Sequence, residues 1–248
     1  MVDLDWLIPV LIALAAILYA SVGHGGASAY LAILVLSGSP VLLVKSSALW
    51  LNMLVSCIAF IRFWSKGHFS SNVFLPLALC SVPAAFFSAG IRIEETLYKS
   101  MLGLTLIIIC IPLYYISGNE NVNTKPPSTS VLAITGLLLG GLSGMLGIGG
   151  GILLSPLLIL SGWSGAKEAA GISALFILLN STAGLLGSRT QAMESIQQPH
   201  LVIYLVFALV GGFVGSWLGA QRFNAAWLKK TLAFVLFTAG LKLIFGES

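Results

Sequence analysis

Two clusters of glycine hold the residues best suited to chemistry in this chain: Gly23-His24-Gly25-Gly26 and Gly147-Ile148-Gly149-Gly150-Gly151. Glycine accepts backbone angles closed to other residues and lets main-chain N–H groups come close to a ligand. Where such a cluster opens a helix, free N–H groups and the helix dipole form a ready site for an anion. The expected chemistry is non-covalent capture of a small anion, with Gly25, Gly26, Gly149, Gly150 and Gly151 lining the approach. The plainer alternative is helix packing, a common use of glycine in membranes, and Gly136, Gly140 and Gly144 fit that use. Duplication favours binding. The clusters align at an offset of 124, and each precedes a short apolar piece of 11 or 12 residues. As helix such a piece is about 17 Å long, roughly half a bilayer core.

Side chains add to this set. His24 is the one titratable group, tyrosines apart, in a first run of 39 residues without Asp, Glu, Lys or Arg. An ionisable residue at membrane depth is a functional candidate. Charged, it pairs with an anion; neutral, it donates one hydrogen bond. The structural alternative is a neutral imidazole that satisfies backbone groups freed by the break. Ser47, Ser173, Asn52 and Asn180 follow the two short pieces and are candidate hydrogen-bond donors to the anion, or interhelical links. The eight acidic residues all fall at segment ends, in loops or at the termini, which leaves no carboxylate for a proton relay through the membrane centre. Cys57, Cys80 and Cys110 are separated and apolar in setting, so neither a disulfide framework nor a metal site is expected, and no cofactor is implied.

The elements that position these residues are membrane segments. Of 248 residues, 58% are hydrophobic and 8% charged, with mean hydropathy +1.01; soluble domains carry about 25% charged residues. The net charge of +4 sits in short polar breaks, where it serves orientation and headgroup contact, not nucleic-acid binding. Apolar stretches run over 6–22, 27–37, 46–64, 73–91 and 98–116, then 130–147, 151–162, 169–188, 201–221 and 228–245. The acidic N-terminus is unlike a signal peptide, so the first stretch is expected to remain in the membrane. The long polar stretch 117–130, with Pro126 and Pro127, divides the chain into repeats 1–116 and 131–248. Ser47-Ala48-Leu49-Trp50 corresponds to Ser173-Ala174-Leu175-Phe176, and Arg92-Ile93 to Arg222-Phe223. Ser81, Ala85 and Ala89 in one half, and Gly211, Gly215 and Gly219 in the other, have the small-residue spacing of close helix contacts. Trp6, Trp64, Trp163 and Trp227 stand near segment ends, as interfacial aromatics do. Lys and Arg divide 7 to 5 between the two sides whether the halves are inverted or parallel, so charge leaves that choice open.

The run Gly140-Gly141-Leu142-Ser143-Gly144-Met145-Leu146-Gly147-Ile148-Gly149-Gly150-Gly151, followed by Pro156, resembles the signature of the TauE/SafE sulfite exporter family. Ser21-Val22-Gly23-His24-Gly25-Gly26-Ala27 follows the same pattern more loosely. The resemblance covers essentially the whole chain and implies a multi-pass transporter of the cytoplasmic (inner) membrane. Its implied substrates are small sulfur-containing or organic anions such as sulfite, sulfonates or sulfoacetate. Two departures concern the substrate: Ser46-Ser47 and Ile172-Ser173 replace a Thr-Asn or Thr-Ser pair, and His24 stands where an aliphatic residue is usual.

The expectation is an all-α polytopic protein of two homologous halves, with roughly eight full spans and two broken or re-entrant half-helices. A small anion and the lipid bilayer are its partners, and a homo-oligomer stays open. Alternating access is the expected mechanism of a repeat-built transporter. Two other readings compete: a non-transporting scaffold, and a rhomboid-like intramembrane serine protease suggested by Gly141-Leu142-Ser143-Gly144 and Gly162-Trp163-Ser164-Gly165.

Overall fold

A computed structural model describes residues 4–91, 93–115, 125, 127–221 and 225–245. Most of the 117–130 linker, together with Arg222, Phe223 and the side chain of Trp227, therefore lies outside the described residues. Those described fold into α1 (Leu4–Ser21), α2 (Ala27–Leu36), α3 (Val41–Trp64), α4 (Ser71–Ala89), α5 (Glu95–Tyr115) and α6 (Thr129–Leu146). They continue as α7 (Gly151–Leu160), α8 (Ala166–Gly187), α9 (Arg189–Ile196), α10 (Pro199–Gln221) and α11 (Ala225–Phe245). The regular structure among the described residues is all helical. Five helices among the described residues are long and apolar enough to cross a bilayer, spanning Leu43–Trp64, Ser71–Ala89, Thr129–Leu146, Ala166–Gly187 and Pro199–Leu218. Large apolar side chains such as Leu79, Phe87 and Phe213 face outward on them, as a lipid environment requires. Trp6 and Trp64 are 59% and 62% exposed near helix ends.

Small residues set how the long helices meet. Gly136, Gly140 and Gly144 of α6 lie against the backbone of Leu77, Ser81 and Ala85 of α4, so the two helices run parallel. Gly211 and Gly215 of α10 meet Ala13 and Ile17 of α1, again parallel. Two other large interfaces are antiparallel. In α3–α8, Asn52 meets Ser181 and Leu49 meets Gly184; in α5–α11, Gly103 meets Leu243 and Cys110 meets Ala233. Without a hydrophobic force between helices in lipid, such close backbone approach supplies the packing. These four pairs are the most extensive contacts of the described structure, and each joins a helix before the linker to one after it.

The boundaries differ from expectation in two places. Helix α3 begins at Val41 rather than at residue 46, which puts Lys45 inside a helix and buries it at 9% exposure. Its ammonium donates to the Ala89 carbonyl at 3.0 Å, a partner 44 residues away that local sequence does not reveal. Residues 189–196, expected as part of a polar connection, form α9, whose Ala192 and Ser195 are buried.

Candidate substrate site at the two helix breaks

Each break is set by glycine in the left-handed region. Gly26 has φ 102° and caps the start of α2, and Gly150 has φ 72° and caps the start of α7. Gly147 (φ 74°) closes α6, and Gly23 (φ 80°) follows the end of α1. An L side chain in that region costs roughly 1–2 kcal/mol, and space is short as well. A Cβ on Gly26 would meet the Tyr30 ring, and one on Gly150 the Phe176 ring. The Tyr19 and Ser28 hydroxyls, 2.7 Å apart, tie the end of α1 to α2.

The two breaks meet at Asn52, which is fully buried on α3. The Ala27 N–H at the first turn of α2 donates to Asn52 Oδ1 at 3.1 Å. On its other side, Asn52 Nδ2 donates to Ser181 Oγ of α8 at 3.0 Å. Gly25 lies against Asn52 Oδ1, and Gly149 of the second break lies against Asn52 Nδ2. Of the residues singled out by sequence, Gly25 and Gly149 thus converge on the Asn52 carboxamide, and Gly26 immediately precedes the Ala27 N–H that donates to it. Neither Gly26 nor Gly150 carries a side-chain cap, so Asn52 serves α2 as a remote N-cap. Its neutral oxygen accepts from the kind of N–H that would hold an anion.

Gly150 and Gly151 form a neighbouring group. Gly151 packs on Ile177 and the Ser173 carbonyl, and Ser155 Oγ donates to Ser173 Oγ at 3.0 Å. Asn180 Nδ2 donates to Phe176 O at 2.8 Å and to Ser81 Oγ at 3.1 Å, while Asn180 Oδ1 is buried without a partner. His24 is buried, with Nδ1 3.1 Å from the Val22 carbonyl and its ring edge-on to Tyr19. A carbonyl only accepts, so that bond fixes the proton on Nδ1. Ser47 lines a cleft beside Pro40, Gln198 and Tyr204.

Three further residues belong here: Tyr30 and Ser181, unmarked in the sequence, and Ser143, which the sequence suggested only as a protease nucleophile. Ser143 Oγ is buried, has no partner and sits beside Gly150. Tyr30 Oη, also buried and unpartnered, folds back over Gly26. Its place four residues after the break was a usable signal, because helical side chains lean toward the N-terminus. Ser181 carried no local signal. As for protease chemistry, Ser143 bonds to no base and Ser164 Oγ donates to Glu168 at 2.7 Å, so neither serine is set against an imidazole as a nucleophile requires.

The sequence profile of the family described as "Sulfite exporter TauE/SafE" matches residues 8–243. A "probable membrane transporter protein" of Sinorhizobium fredii is 33% identical over 233 residues, covering 92% of this chain and 94% of that protein. Another of the same description, from Methanocaldococcus jannaschii, is 26% identical over 151 residues, 60% of this chain and 56% of that one. No solved structure matches significantly. Helices built to cross a bilayer, two glycine breaks joined through one buried amide, and a match over nearly the full length lead to one assignment: this chain belongs to the TauE/SafE sulfite exporter family of multi-pass membrane transporters.

Proposed function

We propose that the protein carries a small anion, namely sulfite, a sulfonate, sulfoacetate or a related organic anion, across the cytoplasmic membrane by alternating access. The substrate binds where the α2 and α7 N-termini meet, held by backbone N–H groups around Gly25, Gly26, Gly149, Gly150 and Gly151. Asn52, Asn180, Ser173 and His24 set selectivity, while Ser47 acts from the adjoining cleft. The observation that carries this reading is the bond from Ala27 N–H to Asn52 Oδ1. A neutral oxygen fills the acceptor position at a helix N-terminus, and an anionic oxygen is the stronger acceptor for it.

The helix directions support a duplicated, inverted architecture for repeats 1–116 and 131–248. With α1 matched to α6, α2 to α7, α3 to α8, α4 to α10 and α5 to α11, the parallel pair α1–α10 corresponds to the parallel pair α6–α4. The pairs α3–α8 and α5–α11 correspond to themselves and are antiparallel. A helix antiparallel to its own counterpart requires a two-fold axis in the membrane plane, the symmetry of inverted-repeat transporters. In this reading the eight long helices are full spans, and α2 and α7 are half-helices.

The test is thermal unfolding of the detergent-solubilised protein with sulfite, thiosulfate, sulfonates and carboxylates, followed by flux of the best ligand into proteoliposomes. A ligand at 100 times its Kd adds about 2.7 kcal/mol. Saturable stabilisation and flux by one anion class are expected. Neither response from any anion would overturn the reading in favour of a scaffold.

A further inference from the structure

We propose that Lys45 and Ser46 form an outer anion site, distinct from the helix breaks, that captures the substrate oxyanion at one end of the bundle before it passes to Asn52. The inference rests on the anion-transport reading above. Lys45 is a buried cation whose ammonium donates to one neutral carbonyl, Ala89 O at 3.0 Å. An ammonium has three donors, and a charge at membrane depth is expensive unless it is paired or functional. The cleft it lines is walled by Ser46, Tyr98, Ser188 and Gln191, and none of its described lining residues is a carboxylate. Ser46 is 1% exposed, and its hydroxyl has no hydrogen-bond partner. A buried orphan donor beside a buried cation is the donor set of an oxyanion site.

Placement links this cleft to the central site. Lys45 and Asn52 are seven residues apart on α3, hence on one face and about 10 Å apart along the axis. The Lys45 stem packs on Gly147, and the Asn52 amide packs on Gly149. One face of α3 therefore runs from the cleft to the junction along the backbone of the second break. At the first break the matching contact is apolar: Gly23 packs against Ala170 of α8.

A lysine that merely caps the α4 C-terminus would need a donor at Ala89, and this separates the two roles. Lys45→Gln keeps a donor and removes the charge; Lys45→Arg keeps the charge. Binding of sulfite and methanesulfonate to the full chain is measured calorimetrically in neutral maltoside micelles. We expect Lys45→Gln to raise Kd at least tenfold, Lys45→Arg to stay within about threefold, and ligand-free unfolding temperatures to agree. Lys45→Gln with unchanged affinity overturns the outer site and leaves the transport reading standing; a wild-type protein that binds neither probe overturns both. If Lys45→Gln does not fold, Ser46→Ala replaces it, since that hydroxyl makes no bond in the protein. A threefold or greater loss supports the site, and unchanged binding overturns it. A phospholipid headgroup offers the same oxyanion chemistry. Displacement of the probe by added phosphatidylglycerol in wild type but not in Lys45→Gln would assign the cleft to lipid and overturn its role in transport.

Discussion

Replacing Asn52 with aspartate alters one atom group where the two breaks meet and leaves the shape nearly unchanged. The new carboxylate still accepts the Ala27 N–H, now 3.1 Å from Oδ1. The Nδ2 bond to Ser181 is lost, but the Ser181 hydroxyl can turn to donate instead, and such bonds average only about 0.6 kcal/mol in membranes. The effect on an anion is much larger. A substrate oxygen on the same N–H would lie about 4 Å from the carboxylate, where two like charges repel by about 4 kcal/mol at an effective dielectric constant of 20. That is roughly a 1,000-fold loss of affinity. Anion-dependent thermal stabilisation and proteoliposome flux are the assays, run at alkaline and acidic pH. Binding should vanish at alkaline pH and return in part as the carboxyl group takes up a proton. An Asn52→Asp protein that folds and binds within threefold of wild type at alkaline pH would refute the placement of substrate at this junction.

Three other perturbations test separate parts of the argument. Gly26→Val and Gly150→Val each combine positive-φ strain with a clash on Tyr30 or Phe176; flux should be abolished while insertion, which follows overall apolarity, is kept, and wild-type flux in inserted protein would count against the helix-terminus site. His24→Gln should flatten the pH dependence of flux, since Gln cannot take up a proton; an identical profile would remove His24 from coupling and leave it as a support for the break through Val22. Gly144→Leu drives a side chain into the Ala85 backbone and Ser88 and should cost at least about 1–3 kcal/mol by overpacking; an unaltered unfolding temperature would contradict the close α4–α6 contact.

The ends of α1, α2, α6 and α7 were legible in the sequence because they are local events. A run of apolar residues stops at glycines that alone tolerate positive φ, and expected pieces 27–37 and 151–162 became Ala27–Leu36 and Gly151–Leu160. Lys45 was not legible as a buried residue, since a lysine after an apolar run looks like a segment end until the Ala89 carbonyl is brought to it. The eight-residue polar helix α9 has no apolar periodicity to announce it. Ser47 and Ser173 correspond in sequence yet differ in surroundings: one lines a cleft near α10, and the other bonds Ser155. Asn52 could be named from sequence, but its bridging role depends on α3 lying antiparallel to α8. Charge could not orient the halves, because Lys and Arg are spread almost evenly over both sides.

The exchange of packing partners across the linker has a consequence for synthesis. Helix α4 finds α6 about 40 residues after its own end, but α1 must wait about 180 residues for α10. At 5–20 residues per second, that wait is roughly 10–40 s. Throughout it, the small-residue groove of α1 around Ala13 and Ala16, which Gly211 and Gly215 later fill, is bare to lipid or to any other passing helix. A chain truncated after α6 would keep that groove open permanently, and the first 116 residues alone would lack the partners of α1, α3, α4 and α5 at once. Assembly is therefore completed from the C-terminal side, and the Asn52–Ser181 bond beside the two breaks forms only once α8 is in place.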